Sequence, residues 1–162
     1  MRREDSRPAP GILDDMTDVV ACPSCGKKNR TPAAATGHPR CAACHADLPW
    51  LVNAGEADFD TATATSATVL VDLWAPWCGP CRMVAPGVER AATELAGRLK
   101  AVKVNVDEAP GVSARFGVQG IPTLLLMRDG EVVDRQVGAL PADRLLAWVR
   151  RTVDAPVSGP AT

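Results

Sequence analysis

Six cysteines in this chain form three Cys-x-x-Cys pairs, and two kinds of chemistry are expected of them. The third pair follows an apolar run, residues 69–74, and stands in the segment Trp77-Cys78-Gly79-Pro80-Cys81. Two thiols at a strand-to-helix turn suit disulfide exchange, because the thiolate is the nucleophile and a helix N-terminus favours it. A lone Cys-x-x-Cys is a weak signal, whereas Trp-Cys-Gly-Pro-Cys after an apolar strand is a strong one.

The other two pairs have the spacing of a metal site. Fifteen residues separate them, which gives the pattern Cys-x2-Cys-x15-Cys-x2-Cys. Four thiolates at this spacing predict one tetrahedral zinc ion, with the ligands Cys22, Cys25, Cys41 and Cys44. Such a shell has no open position for catalysis, so we expect a structural role. The alternative is a redox sensor that releases zinc when its thiols are oxidised.

Two further interpretations of these cysteines are less favoured. Cys41 and Cys44 are followed by His45, a pattern that also marks covalent haem. We favour zinc because the first pair completes the zinc spacing, and we expect His38 and His45 to be surface residues. Three structural disulfides would require export, and residues 1–18 lack the apolar segment of a secretory signal. We therefore expect a cytoplasmic protein with reduced thiols.

Composition and charge argue against several classes of partner. The 162 residues carry a net charge of -1, and 46% of them are hydrophobic, which is ordinary for a soluble protein. Neither nucleic acid nor a membrane surface is expected to bind a chain of this charge. No apolar stretch is long enough to cross a bilayer.

The chain is expected to divide into four segments. Residues 1–18 are predicted to be a disordered arm, and residues 153–162 a disordered tail rich in proline and small residues. Residues 19–50 are too few to bury a core, so metal binding is what allows this zinc-ribbon-like module to fold. Residues 51–152 are long enough for one domain with a full core.

Hydrophobic periodicity predicts strands and helices in alternation. Residues 69–74 form a buried strand, and the apolar positions from Met83 to Leu99, with Pro86 among them, form an amphipathic helix. A strand with one polar-edged face follows at 102–106, and a short helix at 109–116. The next strand, at 123–127, leads into a hairpin turn at Asp129-Gly130, and the last helix begins with Pro141. This order predicts an α/β fold with a mixed central sheet flanked by helices.

The predicted elements place the dithiol and one carboxylate together. At a helix N-terminus, unpaired N–H groups and the helix dipole lower the pKa of Cys78. Cys81 lies about one turn further along, is expected to be more buried, and can resolve a mixed disulfide. Asp72 is the charged residue of the apolar strand, and burial would raise its pKa and let it exchange a proton with Cys81. The alternative is an exposed carboxylate on an edge strand.

Several segments resemble the thioredoxin family. Residues 71–86 read VDLWAPWCGPCRMVAP and resemble the active-site segment of that family. Its later motifs are similar to Gly120-Ile121-Pro122-Thr123, Asp129-Gly130 and Val137-Gly138-Ala139-Leu140. With the four added cysteines, the whole sequence resembles the zinc-binding thioredoxin 2 type.

The resemblance implies the thioredoxin fold and a role for individual residues. It identifies Cys78 as the nucleophile, Cys81 as the resolving cysteine and Asp72 as the buried acid–base group. Lys103 is similar to the family lysine near that aspartate, and Pro122 to the cis-proline beside the dithiol. The residues that the resemblance implies for the substrate surface are Trp77, Gly79, Pro80, Gly120, Ile121, Thr123 and Gly138.

The expected function is that of a cytoplasmic protein-disulfide reductase, in which Cys78 attacks a substrate disulfide and Cys81 resolves the mixed disulfide. The resemblance implies oxidised proteins as substrates and an NADPH-dependent thioredoxin reductase, a flavoprotein, as the electron donor. Zinc is the expected cofactor, and a monomer is the expected state. The alternative is that residues 19–50, which are weakly basic, form a partner-docking or chaperone module and that the dithiol is secondary.

Overall fold

The strands are arranged in two sheets. A computed structural model describes residues 17–32 and 37–156 of the chain. In the small sheet, β1 (Thr17–Ala21) pairs antiparallel with β2 (Lys28–Pro32). The large sheet has the order β3-β5-β4-β6-β7, and its strands are β3 (Trp50–Asn53), β4 (Thr68–Trp74), β5 (Leu99–Asn105), β6 (Thr123–Arg128) and β7 (Glu131–Val137). β3, β5 and β4 run parallel, whereas β6 and β7 join antiparallel.

Helices cover both faces of the large sheet, as predicted. They are α1 (Phe59–Thr63), α2 (Gly79–Glu94), α3 (Pro110–Arg115) and α4 (Ala142–Asp154). Val71 and Leu73 of β4 pack with residues of α1 and α3 on one face, whereas Leu70 packs with residues of α2 and α4 on the other. The predicted α/β fold with a mixed central sheet is therefore confirmed. In the part of the chain described, no helix has both the length and the apolar character needed to cross a membrane.

The position of β4 follows from its sequence. Six of its seven residues are buried, so both faces of the strand must be covered and both edges must pair. β4 accordingly lies between β5 and β6 at the centre of the sheet. This central position rejects the edge-strand alternative for Asp72, which is 1% exposed.

The helix after the dithiol ends earlier than predicted. α2 ends at Glu94, and Leu99 is the first residue of β5 rather than a position on the helix face. Gly97 lies between them with φ +87, and a side chain there would collide with Asp47, since a Cβ would lie 2.6 Å from Asp47 Oδ2. Leu99 keeps the helical spacing of the apolar residues although it belongs to the next strand. The left-handed backbone of Gly97 changes the direction of the chain before Leu99 is reached.

The elements predicted later in the chain agree well with the structure. Asp129 and Gly130 have φ 51 and 79 and connect β6 to β7 as a two-residue hairpin. Pro141 is the N-cap of α4, whose buried face includes Leu145 and Trp148. β5 begins at Leu99, three residues earlier than predicted, and the predicted alternation is confirmed, because Val102 and Val104 are buried and Lys103 and Asn105 are half-buried.

The boundaries of the predicted segments also shift. Thr17 and Asp18, at the end of the predicted arm, belong to β1. Trp50, the last residue of the predicted zinc module, begins β3 and is fully buried, with its Nε1 donating to Pro32 O at 2.8 Å. α4 continues through Val153 to Asp154, into the predicted tail. The rest of the predicted arm and tail, residues 1–16 and 157–162, lies outside the described residues.

Candidate functional site

The dithiol lies where β4 leads into α2. Cys78 is the N-cap residue of α2, and its Sγ accepts a hydrogen bond from Cys81 N at 3.2 Å. Gly79 and Pro80 are the first two residues of the helix and are exposed, and Pro80 needs no hydrogen-bond partner for its nitrogen there. Cys78 and Cys81 form a disulfide, so the structure shows the oxidised form of the site.

The two cysteines differ less in burial than predicted. Cys78 is 4% exposed and Cys81 is 3% exposed, so in the oxidised form Cys81 is the more buried of the two by a negligible margin. What distinguishes them is position in the helix. The Cys78 sulfur receives an unpaired N–H of the first turn, which stabilises negative charge on that sulfur.

A loop with a cis-proline lies against the dithiol. The Ile121–Pro122 peptide bond is cis, as the resemblance implied, and the Ile121 carbonyl oxygen lies 3.8 Å from Cys78 Sγ. Gly138 N donates to Pro122 O at 2.9 Å, which ties the loop to the end of β7. A polypeptide that reaches the Cys78 sulfur must therefore pass this loop.

The residues expected to form the substrate surface differ in how exposed they are. Trp77 is 70% exposed, and its Nε1 donates to Asp107 Oδ2 at 2.9 Å, which orients the indole. Gly120 is exposed, and Ile121 and Gly138 are half-buried. Thr123 is only 1% exposed, and its Oγ1 donates to Gly120 O at 2.5 Å, so it supports the loop from beneath instead of presenting a side chain.

Asp72 is buried beside the half-buried Lys103 on the neighbouring strand. They are register partners on β4 and β5, and they share the sheet face that α2 covers. Burial raises the pKa of Asp72 to about 6, and the positive charge of Lys103 opposes that rise. Both carboxylate oxygens of Asp72 are buried without a hydrogen-bond partner among the described residues. Asp72 is thus a carboxylate that holds a proton more readily than an exposed one.

The other four cysteines come together in a separate cluster. The Sγ atoms of Cys22, Cys25, Cys41 and Cys44 all lie within 4.8 Å of one another. The two Cys-x-x-Cys turns are built alike. In the first, Gly26 N donates to Cys22 O, and in the second His45 N donates to Cys41 O, each at 2.9 Å. The residue after each pair is left-handed, with φ 79 and 62.

The cluster has the dimensions and the donors of a metal site. In a tetrahedral shell with zinc–sulfur bonds of about 2.3 Å, neighbouring sulfurs lie about 3.8 Å apart. The sulfurs of Cys22 and Cys44, and those of Cys25 and Cys41, are 3.6 Å apart. Backbone N–H groups of Cys44 and Ala43 lower the pKa of Cys41 to about 6, whereas the neighbouring sulfurs raise the pKa of Cys44 to about 12, so without a metal ion one thiolate is favoured and holds the proton of another thiol. The four residues therefore fit a metal ion.

The two histidines of the chain are separate from the four sulfurs. His45 is exposed, in agreement with the expectation of a surface residue. His38 is half-buried and packs its ring edge-on against Trp50, with 5.7 Å between ring centroids. His38 is therefore a packing residue against β3 and is less exposed than predicted.

Asp107 is a site residue that the sequence did not indicate. It follows β5 and looks in the sequence like any exposed acid, and only the fold brings it to the Trp77 indole. Arg82 is similar, since it donates to Pro76 O at 2.8 Å and so closes the loop before Cys78. No periodicity or spacing links these pairs, because each contact depends on the turn geometry around the dithiol.

Comparison with known proteins agrees with this geometry. Residues 51–151 match the family model described as Thioredoxin. A thioredoxin from Haemophilus influenzae is 45% identical over 104 residues, which are 64% of this chain and 97% of that protein. A thioredoxin from Bacillus subtilis is 44% identical over 101 residues, 62% of this chain and 96% of that protein. The chloroplastic thioredoxin M4 of Arabidopsis thaliana is 34% identical over 147 residues, 87% of this chain and 75% of that protein.

Proposed function

Because the chain belongs to the thioredoxin family and is a thiol–disulfide oxidoreductase, we propose that it reduces protein disulfides through Cys78 and Cys81. The observation that carries this proposal is the position of Cys78. Its sulfur lies at the N-terminus of α2, receives the Cys81 N–H, and sits 3.8 Å from the carbonyl of the cis-proline loop. One sulfur is thus both activated and placed where a substrate chain arrives.

The proposed reaction begins from the reduced form. The Cys78 thiolate attacks one sulfur of the substrate disulfide, and the other substrate sulfur leaves as a thiolate. Cys81 then attacks Cys78 Sγ within the mixed disulfide, and the second substrate sulfur leaves. Two electrons have passed to the substrate, and the Cys78–Cys81 disulfide seen here is the oxidised product.

Asp72 is proposed to take the proton of Cys81 in the second step. Cys81 can attack only as a thiolate, and a carboxylate whose pKa is about 6 is a better proton acceptor than an exposed aspartate. Lys103 keeps the Asp72 pKa from rising further, so that most of the carboxylate remains ionised at neutral pH. The pair therefore holds the acceptor in its basic form.

Substrates are proposed to be oxidised proteins bound in extended form beside Cys78. The exposed Trp77 indole supplies an apolar contact, and the Ile121 carbonyl can accept a backbone N–H from the substrate. Gly120 and Gly138 carry no side chains, which lets a second backbone come close. Pro122 holds the loop against the sulfur.

The oxidised enzyme must be reduced again to act a second time. We propose an NADPH-dependent thioredoxin reductase as the electron donor, on the strength of family membership. The same argument supports a monomer in the cytoplasm that transfers electrons between this reductase and its substrates.

The four-cysteine cluster is proposed to bind one zinc ion, as in the zinc-binding thioredoxin 2 type. Cys22, Cys25, Cys41 and Cys44 would fill a tetrahedral shell, and the sulfur spacing supports zinc over haem, which would use Cys41 and Cys44 alone. Bound zinc would crosslink the two turns and stabilise the small sheet. A sensor role, with zinc released on oxidation, is the alternative for this site. The partner-docking alternative for the whole chain is not favoured, because residues 51–151 carry the family match and the dithiol.

Turnover of a protein disulfide tests the proposed function. Insulin reduction is measured with the reduced full-length chain, its Cys78→Ser variant and its Cys25→Ser variant. We expect Cys78→Ser to lose all turnover and Cys25→Ser to keep it, because only the first removes the nucleophile. If Cys78→Ser reduces insulin at the rate of the unchanged protein, the proposal is wrong.

A further inference from the structure

Trp74, the last residue of β4, touches two parts of the site. Its side chain packs against the cluster formed by Ala75, Cys78 and Cys81. The Lys103 ammonium lies over the same indole, with 5.0 Å between Lys103 Nζ and the ring centroid. A cation is attracted to the face of an aromatic ring when it lies within about 6 Å of the centroid. One side chain therefore contacts both the dithiol and the lysine.

Trp74 and Asp72 lie on the same face of the sheet, because side chains two residues apart on a strand point to the same side. Lys103 is the register partner of Asp72, and its positive charge acts on that carboxylate. The other neighbours of Asp72 are largely apolar, since β6 places Leu124 opposite it and Cys81 is the titratable residue on the buried face of α2. The position of the Lys103 ammonium therefore determines the charge beside Asp72.

A cleft offers the Lys103 ammonium a second position. Lys103 is half-buried and lines a cleft of about 360 Å³, whose walls also include the exposed Glu89. In this cleft the ammonium would meet water and a carboxylate, both of which stabilise a positive charge. A lysine side chain is flexible and loses conformational entropy when it is held in one position. A favourable contact is therefore needed to keep the charge beside Asp72.

We propose that Trp74 is a positioning residue, whose indole holds the Lys103 ammonium beside Asp72 and away from the cleft. The proposal rests on the proposed reductase function, in which Asp72 accepts the proton of Cys81. Without the indole, the ammonium would turn toward Glu89 and act more weakly on Asp72. Because a nearby positive charge favours the ionised carboxylate, the pKa of Asp72 would then rise above its value of about 6.

Titration of Asp72 in the oxidised full-length protein tests this role. It requires no turnover, and Cys81 does not titrate while it is in the disulfide. The ¹³C chemical shift of the Asp72 carboxyl is followed with pH in the unchanged protein, Trp74→Leu, Lys103→Gln and the double variant. We expect Trp74→Leu to raise the titration midpoint by about 0.5 to 1 pH unit more when Lys103 is present than in the Lys103→Gln background.

The Lys103→Gln background is the matched control. Leucine is smaller than tryptophan and admits water near Asp72, but this change occurs in both backgrounds and cancels in the comparison. Only the background with Lys103 contains the charge that the indole holds. Trp74→Phe keeps an aromatic face, so it is expected to give a smaller difference between the backgrounds than Trp74→Leu. Circular dichroism checks that each variant is folded.

A second measurement needs no variant. In the unchanged protein, nuclear Overhauser effects are expected between the ε-methylene protons of Lys103 and the ring protons of Trp74. The indole should also shift these ε-methylene protons upfield, because they lie over its face. If neither signal is observed, the inference is overturned, even where Trp74→Leu does not fold.

The outcomes separate this inference from the function on which it rests. If Trp74→Leu changes the Asp72 midpoint equally in both backgrounds, or raises it less when Lys103 is present, Trp74 acts through packing alone and the inference is overturned. If the unchanged protein does not reduce insulin, the reductase function is refuted, while the titration still decides whether Trp74 positions Lys103.

Discussion

Replacing Asp72 with asparagine removes a buried charge while keeping the size of the side chain. Asp72 lies on the central strand, is 1% exposed and makes no hydrogen bond to the described part of the chain through either carboxylate oxygen. A buried charge without hydrogen bonds destabilises the folded state. We therefore expect the Asp72→Asn variant to be more stable than the unchanged protein in the oxidised form.

The size of the gain follows from the pKa. Burial raises the pKa of Asp72 from 3.8 to about 6. At about 1.36 kcal/mol per pH unit, this difference corresponds to about 3 kcal/mol of unfolding free energy at pH values well above the folded pKa. Asparagine is neutral in both the folded and the unfolded protein, so the variant does not lose this free energy.

The gain depends on pH in a defined direction. Below 3.8 the carboxyl is protonated in both states, and the unchanged protein carries no penalty. As pH rises from 3.8 to about 6, the unfolded state ionises first and the unchanged protein loses stability. The advantage of the variant is expected to be near zero at about pH 3, about half complete at about pH 5 and full at about pH 8.

Urea unfolding of the two oxidised proteins, followed by circular dichroism, measures this advantage at each pH. Glu131→Gln is the matched control, since Glu131 is exposed and a surface substitution changes stability little. The same Asp72→Asn variant is expected to reduce protein disulfides more slowly, because Cys81 loses its proton acceptor. A variant that is less stable at every pH and turns over normally would refute the buried acid–base role.

Three further outcomes are expected. In the reduced protein, Cys78 should be alkylated near neutral pH much faster than Cys81, because its sulfur caps the helix; equal rates in mass spectrometry would contradict this. Elemental analysis should find one zinc per chain, lost in Cys22→Ser or Cys44→Ser with insulin reduction retained; zinc-free reduced protein would reject the metal site. Asp107→Ala should raise KM for protein substrates about 2- to 5-fold without unfolding, because the indole loses one hydrogen bond worth about 1 kcal/mol; an unchanged KM would count against this role.

Local patterns in the sequence predicted the elements that are long or strongly marked. The apolar run of β4, the Asp129-Gly130 turn and the amphipathic α4 each carry their signal within a few residues, and all three agree with the structure. The short β3 and α1 were not predicted. They have four and five residues, and their stability comes from contacts with distant segments, such as the pairing of β3 with β5.

The residues of the site likewise comprise some that the local sequence indicates and some that only the fold brings together. The four clustered cysteines could be found from residue type and spacing, and Cys78 from the segment Trp-Cys-Gly-Pro-Cys after an apolar strand. Asp72 stands out in the sequence because a carboxylate in an apolar strand is unusual. The central position of its strand in the sheet explains why the side chain is buried. Asp107 could not be found, because an exposed acid becomes distinctive only when the fold brings it to the Trp77 indole.

Trapping the mixed disulfide tests the central claim most directly. The reduced Cys81→Ser variant is mixed with an oxidised protein substrate, and the covalent product is digested and mapped by mass spectrometry. The account predicts one enzyme cysteine in the product, Cys78, in a disulfide with a substrate cysteine, since the resolving thiol is gone and the complex cannot be released. A product linked through Cys25 or Cys44, or no covalent product at all, would contradict the assignment of Cys78 as the nucleophile.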